Sequence, residues 1–192
     1  MAALNRREIV AKLLANRGED LLVVPSLGQA CYDCFAAGDS PRTFYMWGAM
    51  GGAVPVALGL AIAQPEKRVL CIAGDGELLM GLGALAAAAA EAPPNFAIAC
   101  IDNERYGETG QQQTATGRGT NLTAIAAGAG FGTTMMVTKE ADIAAGVKAC
   151  RETQGPVFVT FKVDDAPLPA ALPPKDGAYL KSRFREAVVG KI

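Results

Sequence analysis

Val69-Leu70-Cys71-Ile72-Ala73-Gly74-Asp75-Gly76-Glu77 holds five apolar residues in succession and then breaks into an aspartate flanked by glycines. A strand that buries one face alternates apolar with polar residues. A short strand that is apolar throughout is covered on both faces, as in a parallel sheet between two helical layers. Residues 77–91, rich in Leu and Ala, read as a helix, so the unit is strand, glycine-rich turn, helix. In open parallel sheets ligands bind beyond the carboxyl ends of the strands, and this turn lies at such an end. Its glycine-flanked N–H groups, at the start of a helix, suit a diphosphate.

The same alternation extends in both directions. Strands are predicted at 21–24, 44–46, 69–73, 96–101, 133–137 and 157–163, with helices at 5–16, 27–37, 52–63, 77–91, 121–128 and 140–152. The fold class that follows is α/β: a doubly wound, mostly parallel six-stranded sheet with helices on both faces. Residues 1–163 form one domain in this reading. Residues 164–192 change character, because Pro167, Pro169, Pro173 and Pro174 break regular structure ahead of a charged helix at 178–189. That tail is expected to dock on a partner or on its own domain.

Composition excludes several functions. With 18 Lys and Arg against 19 Asp and Glu, no long-range field gathers nucleic acid or an anionic membrane. The apolar run 53–63 is eleven residues long and falls short of the roughly 20 that a membrane-spanning helix needs. Arg6, Arg7, Glu8 and Lys12 are unlike a signal peptide, so a cytoplasmic address is expected. The chain has no histidine, which removes Ser-His-Asp and Cys-His catalysis and imidazole proton shuttles from this polypeptide. The five cysteines are scattered, and Cys31 and Cys34 lack the further ligands that a zinc site requires; they read as core.

A bare Asp75 carboxylate facing a diphosphate repels it, so the pairing needs a divalent cation between them, and oxygen ligands suit Mg2+. A second oxygen ligand lies at the right distance along the chain. Twenty-six residues separate Gly76 from Asn103, enough for one helical crossover and one returning strand, which brings Asn103 to the sheet edge that carries Asp75. Asp75, Asn103, a backbone carbonyl near Arg105, diphosphate oxygens and water together fill the octahedron that Mg2+ prefers.

With Gly-Asp-Gly, a gap of this length and Asn, the sequence resembles the thiamine diphosphate-dependent enzymes. The resemblance implies that Asp75 and Asn103 carry Mg2+, that Arg105 lends its main-chain carbonyl, and that Gly74, Gly76 and Glu77 lie along the diphosphate with Tyr106 and Gly107. Asp102 stands where the commoner ending has Asn. Phe44-Tyr45-Met46-Trp47-Gly48-Ala49-Met50-Gly51-Gly52-Ala53 is similar to the segment that holds the aminopyrimidine ring, through the Gly48 carbonyl, with Ala49 beside it and Met50 as an apolar wedge. The wedge folds the cofactor so that its own amino group activates the thiazolium carbon, which fits a chain without histidine.

The block from Asp102 to Thr114, Asp-Asn-Glu-Arg-Tyr-Gly-Glu-Thr-Gly-Gln-Gln-Gln-Thr, is similar to the corresponding loop of sulfopyruvate and phosphonopyruvate decarboxylases. The resemblance implies a subunit of a heteromeric 2-oxo acid decarboxylase; the loop after strand 96–101 overhangs the reacting ring, so Arg105, Glu108 and Gln111 are expected toward the substrate, the alternative for Arg105 and Glu108 being a solvated loop. Its partner is an alpha-type subunit whose pyrimidine-binding domain supplies a glutamate. The alternatives are a carboligase subunit of the acetolactate synthase kind and a non-catalytic cofactor-binding subunit.

Overall fold

The computed structural model describes residues 4–190. In chain order the first elements are α1 (Arg6–Leu14), β1 (Leu21–Pro25), α2 (Gln29–Ala36), α3 (Ala53–Ala63), β2 (Arg68–Gly74), α4 (Asp75–Met80), α5 (Gly83–Glu91) and β3 (Phe96–Asp102). A small hairpin, β4 (Arg105–Tyr106) and β5 (Gln112–Gln113), and a 3-10 turn at Thr116–Arg118 follow. The remainder is α6 (Leu122–Ala129), β6 (Thr133–Val137), α7 (Glu140–Glu152), β7 (Val157–Lys162) and α8 (Gly177–Val189). Among the described residues no helix is long and apolar enough to cross a membrane.

Five strands form one parallel sheet in the order β1-β2-β3-β7-β6. The two-sided burial read from the apolar runs holds. Leu70 and Ile72 of β2 enter the core shared with α1, α2 and α7, whereas Val69, Cys71 and Ala73 enter the core shared with α3, α5 and α6. From β2 to β3 and on to β6 the chain steps one way along the sheet with its helices on one face. From β6 to β7 it steps back, and α7 lies on the other face, as right-handed crossovers require. The five cysteines are free and buried, and burial pushes the Cys31 thiol up to about 12, in keeping with a core role.

Two sequence expectations need correction. The sixth strand, 44–46, is not a regular strand, although its segment does lie along β1. Val23 N–H donates to Arg42 O at 3.0 Å, Phe44 N–H to Val23 O at 2.8 Å and Met46 N–H to Pro25 O at 3.2 Å. The next bond of a parallel ladder would be donated by residue 25, and a proline has no N–H to give, so only the Val23–Thr43 bridge remains. The helix expected at 77–91 is broken into α4 and α5 around Gly81 and Leu82. Gly81 sits against Gly51 so closely that a Cβ there would stand 2.3 Å from the Gly51 carbonyl oxygen. The chain restarts through short turns, Ala84 N–H to Gly81 O and Leu85 N–H to Leu82 O.

The proline-rich tail packs on its own domain. Asp165 reaches Arg105, the Pro169 carbonyl accepts from Arg7 at 2.7 Å, and the Pro174 carbonyl accepts from Trp47 Nε1 at 2.7 Å. Asp176 caps α8, which is anchored by Arg183 on Asp39 and by Phe184 against Phe44. The outer limits of the two expected segments, residues 1–3 and 191–192, lie outside the described residues.

Candidate functional site

Strands β2 and β3 are neighbours, paired from Val69 and Phe96 up to Gly74 and Ile101, so the residues that follow them emerge side by side. Asp75 opens α4 directly after β2, and Asn103 follows β3 directly; both side chains are buried. Asp75 Oδ2 accepts from Thr114 Oγ1 at 2.5 Å and Thr116 Oγ1 at 2.9 Å. Burial pushes the Asp75 carboxyl up to about 6, the two hydroxyls work against that rise, and nearby Asp102 adds to it. Asn103 Nδ2 donates to Gln29 Oε1 at 3.1 Å, while its Oδ1 accepts from the Arg105 N–H at 3.0 Å, a local turn that sets the path into β4.

A cavity of about 340 Å³ opens here. Gly74, Asp75, Gly76 and Glu77 line it from the β2 side, and Asn103, Arg105, Tyr106, Gly107 and Glu108 from the β3 side, and Met50 lines it as well. Gly48, Ala49 and Gln111 are not part of its wall. Gly48 and Ala49 lie immediately before Met50, and Gln111 lies in the exposed turn of the β4–β5 hairpin with φ 63°. Gly76 lies under the Tyr106 ring, where a Cβ would meet Cε1 at 2.4 Å, so this glycine is required by close approach. Gly74 has open space where its Cβ would stand.

Glu77 connects the two halves of the site. Its Oε1 accepts from the Ala53 N–H at 2.9 Å, at the N-terminus of α3, and so fixes the end of the segment containing Gly48 and Met50. Oε2 is buried without a partner, and burial raises the Glu77 carboxyl above the usual range. Trp47, next to Gly48, packs against Tyr32 and lies under Lys175 of the tail. Arg105, beyond its place on the cavity wall, pairs with Asp165 at 3.5 Å, and Glu108 accepts from the Tyr32 hydroxyl at 3.0 Å.

Residues 28–161 match the family model of the thiamine pyrophosphate enzyme, C-terminal TPP binding domain. The chain belongs to the thiamine pyrophosphate enzymes. This member of the family is 36% identical over 185 residues to the sulfopyruvate decarboxylase subunit beta of Methanocaldococcus jannaschii, an alignment that covers 95% of this chain and 96% of that one. It is 34% identical over 178 residues to the phosphonopyruvate decarboxylase of Streptomyces viridochromogenes, covering 92% of this chain but 44% of the other. Among solved structures, the benzoylformate decarboxylase from Polynucleobacter necessarius superposes with a TM-score of 0.72 at 15% identity, covering 86% of this chain and 34% of that chain, which shows the shared fold.

The residues present fit the cofactor of this thiamine pyrophosphate enzyme. The backbone at Gly74 is open to the cavity, and Asp75 and Asn103 offer oxygen atoms there. Among the described residues no three His, Cys, Asp or Glu side chains gather for a metal. One carboxylate and one amide oxygen, completed by phosphate oxygens and water, suit Mg2+ better than a transition metal.

Sequence reasoning missed three parts of this site. The β1–α2 turn contributes Ser26, Leu27 and Gln29 to the cavity, and Gln29 braces Asn103. The rule that ligands lie beyond strand ends, applied to β1 as it was to β2, points to this turn. Thr114 and Thr116 reach Asp75 from a loop whose course has no periodicity to read. Arg6 and Asp33, both buried, form an ion pair on the cavity wall, and Arg7 Nε adds a second contact to Asp33 at 2.9 Å.

Proposed function

We propose that this chain is the diphosphate-binding subunit of a heteromeric, thiamine diphosphate- and Mg2+-dependent decarboxylase of a small 2-oxo acid, of the sulfopyruvate or phosphonopyruvate type. The observation that carries the reading is the delivery of Asp75 and Asn103 to one cavity by adjacent parallel strands. In this reading Asp75, Asn103 and the Arg105 carbonyl hold Mg2+, and Gly74, Gly76, Glu77, Tyr106 and Gly107 lie along the diphosphate. The Gly48 carbonyl, Ala49 and Met50 receive the pyrimidine, with Met50 as the wedge. Arg105, Glu108 and Gln111 face the substrate.

When bound, thiamine diphosphate supplies the nucleophilic carbon and the electron sink for loss of carbon dioxide. This chain supplies position and charge compensation. Asp75, paired with a divalent cation, ceases to repel the diphosphate, and the Glu77 bond to the Ala53 N–H keeps the Met50 segment in register with the Asp75 turn. The 2-oxo acid carries a carboxylate, and Arg105 is the cation on the cavity wall with solvent access to meet it.

The name of the similar beta subunit, which this chain matches over nearly its whole length, supports a partner subunit. The beta subunit of similar length bears a subunit name, whereas the phosphonopyruvate decarboxylase is about twice as long as the part this chain matches. The missing part in this reading is an alpha-type chain with a pyrimidine-binding domain and its glutamate. In this reading residues 1–163 are the cofactor-binding unit, and the described part of the tail braces it through Asp165, Pro169, Pro174 and Arg183.

The test is co-expression with the product of the adjoining reading frame, followed by calorimetry and a screen of 2-oxo acids with product analysis. Mg2+-dependent uptake of thiamine diphosphate and release of an aldehyde are expected. Absence of that uptake from the assembled complex overturns the reading. Robust decarboxylation by the purified chain alone overturns the partner.

A further inference from the structure

Asp75 and Asp102 are buried carboxylates near the ends of adjacent strands, where like charges in a low-dielectric interior repel unless hydrogen-bond donors and a counter-charge intervene. Two hydroxyls and one ammonium do so. Thr114 Oγ1 and Thr116 Oγ1 lie 2.5 Å and 2.9 Å from Asp75 Oδ2 and 2.9 Å from each other. Thr116 Oγ1 also stands 2.8 Å from Asp102 Oδ1, and Asp102 Oδ2 accepts from Lys162 Nζ at 3.0 Å. Thr114 and Thr116 are themselves buried, so water does not compete for these contacts.

Resting on the cofactor reading above, we propose that Thr114 and Thr116 are positioning residues for the cation, holding Asp75 by Oδ2 so that Oδ1 is the oxygen offered to Mg2+. A carboxylate fixed by two donors on one oxygen loses little side-chain freedom when the cation arrives. The clamp also ties Asp75 to the stretch after β3 that carries Tyr106 and Gly107, because the Thr114 N–H donates to Glu104 O at 3.0 Å. Asp102, where the commoner family ending has Asn, belongs to the same device: the single Thr116 hydroxyl proton is shared between Asp75 Oδ2 and Asp102 Oδ1, and Lys162, which also pairs with Glu104, offsets the Asp102 charge at Oδ2.

The experiment titrates Mg2+ into the complex in which the full chain purifies, at saturating thiamine diphosphate, followed by calorimetry and Trp47 fluorescence. A wild-type complex without uptake removes the cofactor reading itself, independently of the clamp. Given uptake by the wild type, Thr114→Val and Thr116→Val are each expected to weaken Mg2+ binding by about 10–100-fold, the usual consequence of losing an outer-shell partner of a metal ligand. Thr114→Ser and Thr116→Ser, which keep the hydroxyl, are expected to bind as the wild type does. Val variants with wild-type Mg2+ affinity overturn the proposal, and so do Ser variants as weak as the Val ones. Where a Val variant does not fold, the Ala variant at that position removes the hydroxyl without adding atoms and is judged by the same criteria.

Discussion

Replacing Asp33 by Ala strands a buried cation, and the size of the loss follows from the geometry. The Arg6 and Asp33 side chains are 3% and 2% exposed, and Arg7, 26% exposed, binds the other carboxylate oxygen at 2.9 Å. Arg6 Nε is already buried without a partner, so the guanidinium has little to fall back on once Asp33 is gone. Breaking a buried pair by removing one partner costs about 3–5 kcal/mol, a large part of the ~5–15 kcal/mol that holds a domain folded. With a urea m-value of about 2 kcal/mol/M, the unfolding midpoint of Asp33→Ala should fall by roughly 2 M. The double variant Arg6→Met with Asp33→Leu removes both charges and fills the space, and should recover most of that loss. Equilibrium urea unfolding of the wild type, Asp33→Ala and the double variant, followed by Trp47 fluorescence, compares the three. A loss below about 1 kcal/mol for Asp33→Ala, or a double variant no more stable than Asp33→Ala, refutes the reasoning.

Other perturbations read other parts of the site. Gly76→Ala gains about 1 kcal/mol of helix propensity but drives a methyl into the Tyr106 ring, a clash worth about 1–3 kcal/mol; displaced Tyr106 should weaken thiamine diphosphate uptake by calorimetry while the melting temperature moves little. Glu77→Ala leaves the N-terminus of α3 without its side-chain acceptor and should cost about 1–2 kcal/mol in chemical denaturation, whereas Glu77→Gln retains the carbonyl that meets Ala53 and should stay close to wild type. Arg68 donates to the Cys150 and Thr153 carbonyls at the C-terminal end of α7, so Arg68→Met should lower stability by about 2 kcal/mol and leave cofactor uptake intact. Arg105→Ala loses only a half-exposed pairing with Asp165, so its stability should hold while KM for the 2-oxo acid rises in the assembled enzyme; unchanged kcat and KM would end the substrate role for Arg105.

Where the sequence was legible, the reason was periodicity. Runs apolar on both faces at 69–73 and 96–101 correspond to two of the three central strands, because a strand covered on both sides can bury every successive side chain, and the largely apolar run at 157–163 corresponds to the third. Asp75 and Asn103 were paired from spacing alone, since a parallel crossover returns the chain to the same edge of the sheet whatever its helix looks like in detail. Indeed the helix between them turned out to be two, and the pairing survived.

The expected strand at 44–46 depended on a ladder bond that Pro25, nineteen residues earlier, cannot donate. The break between α4 and α5 depended on Gly51 lying against Gly81. Thr114 and Thr116 on Asp75, Gln29 on Asn103 and Arg6 on Asp33 join residues 27 to 74 positions apart. Spacing and composition alone pointed to a parallel α/β fold that brings Asp75 and Asn103 to one sheet edge, because those properties follow from local periodicity and chain reach. Which side chains hold that pair in place was decided only by the tertiary structure, because contacts between loops obey no repeat and arise from packing alone.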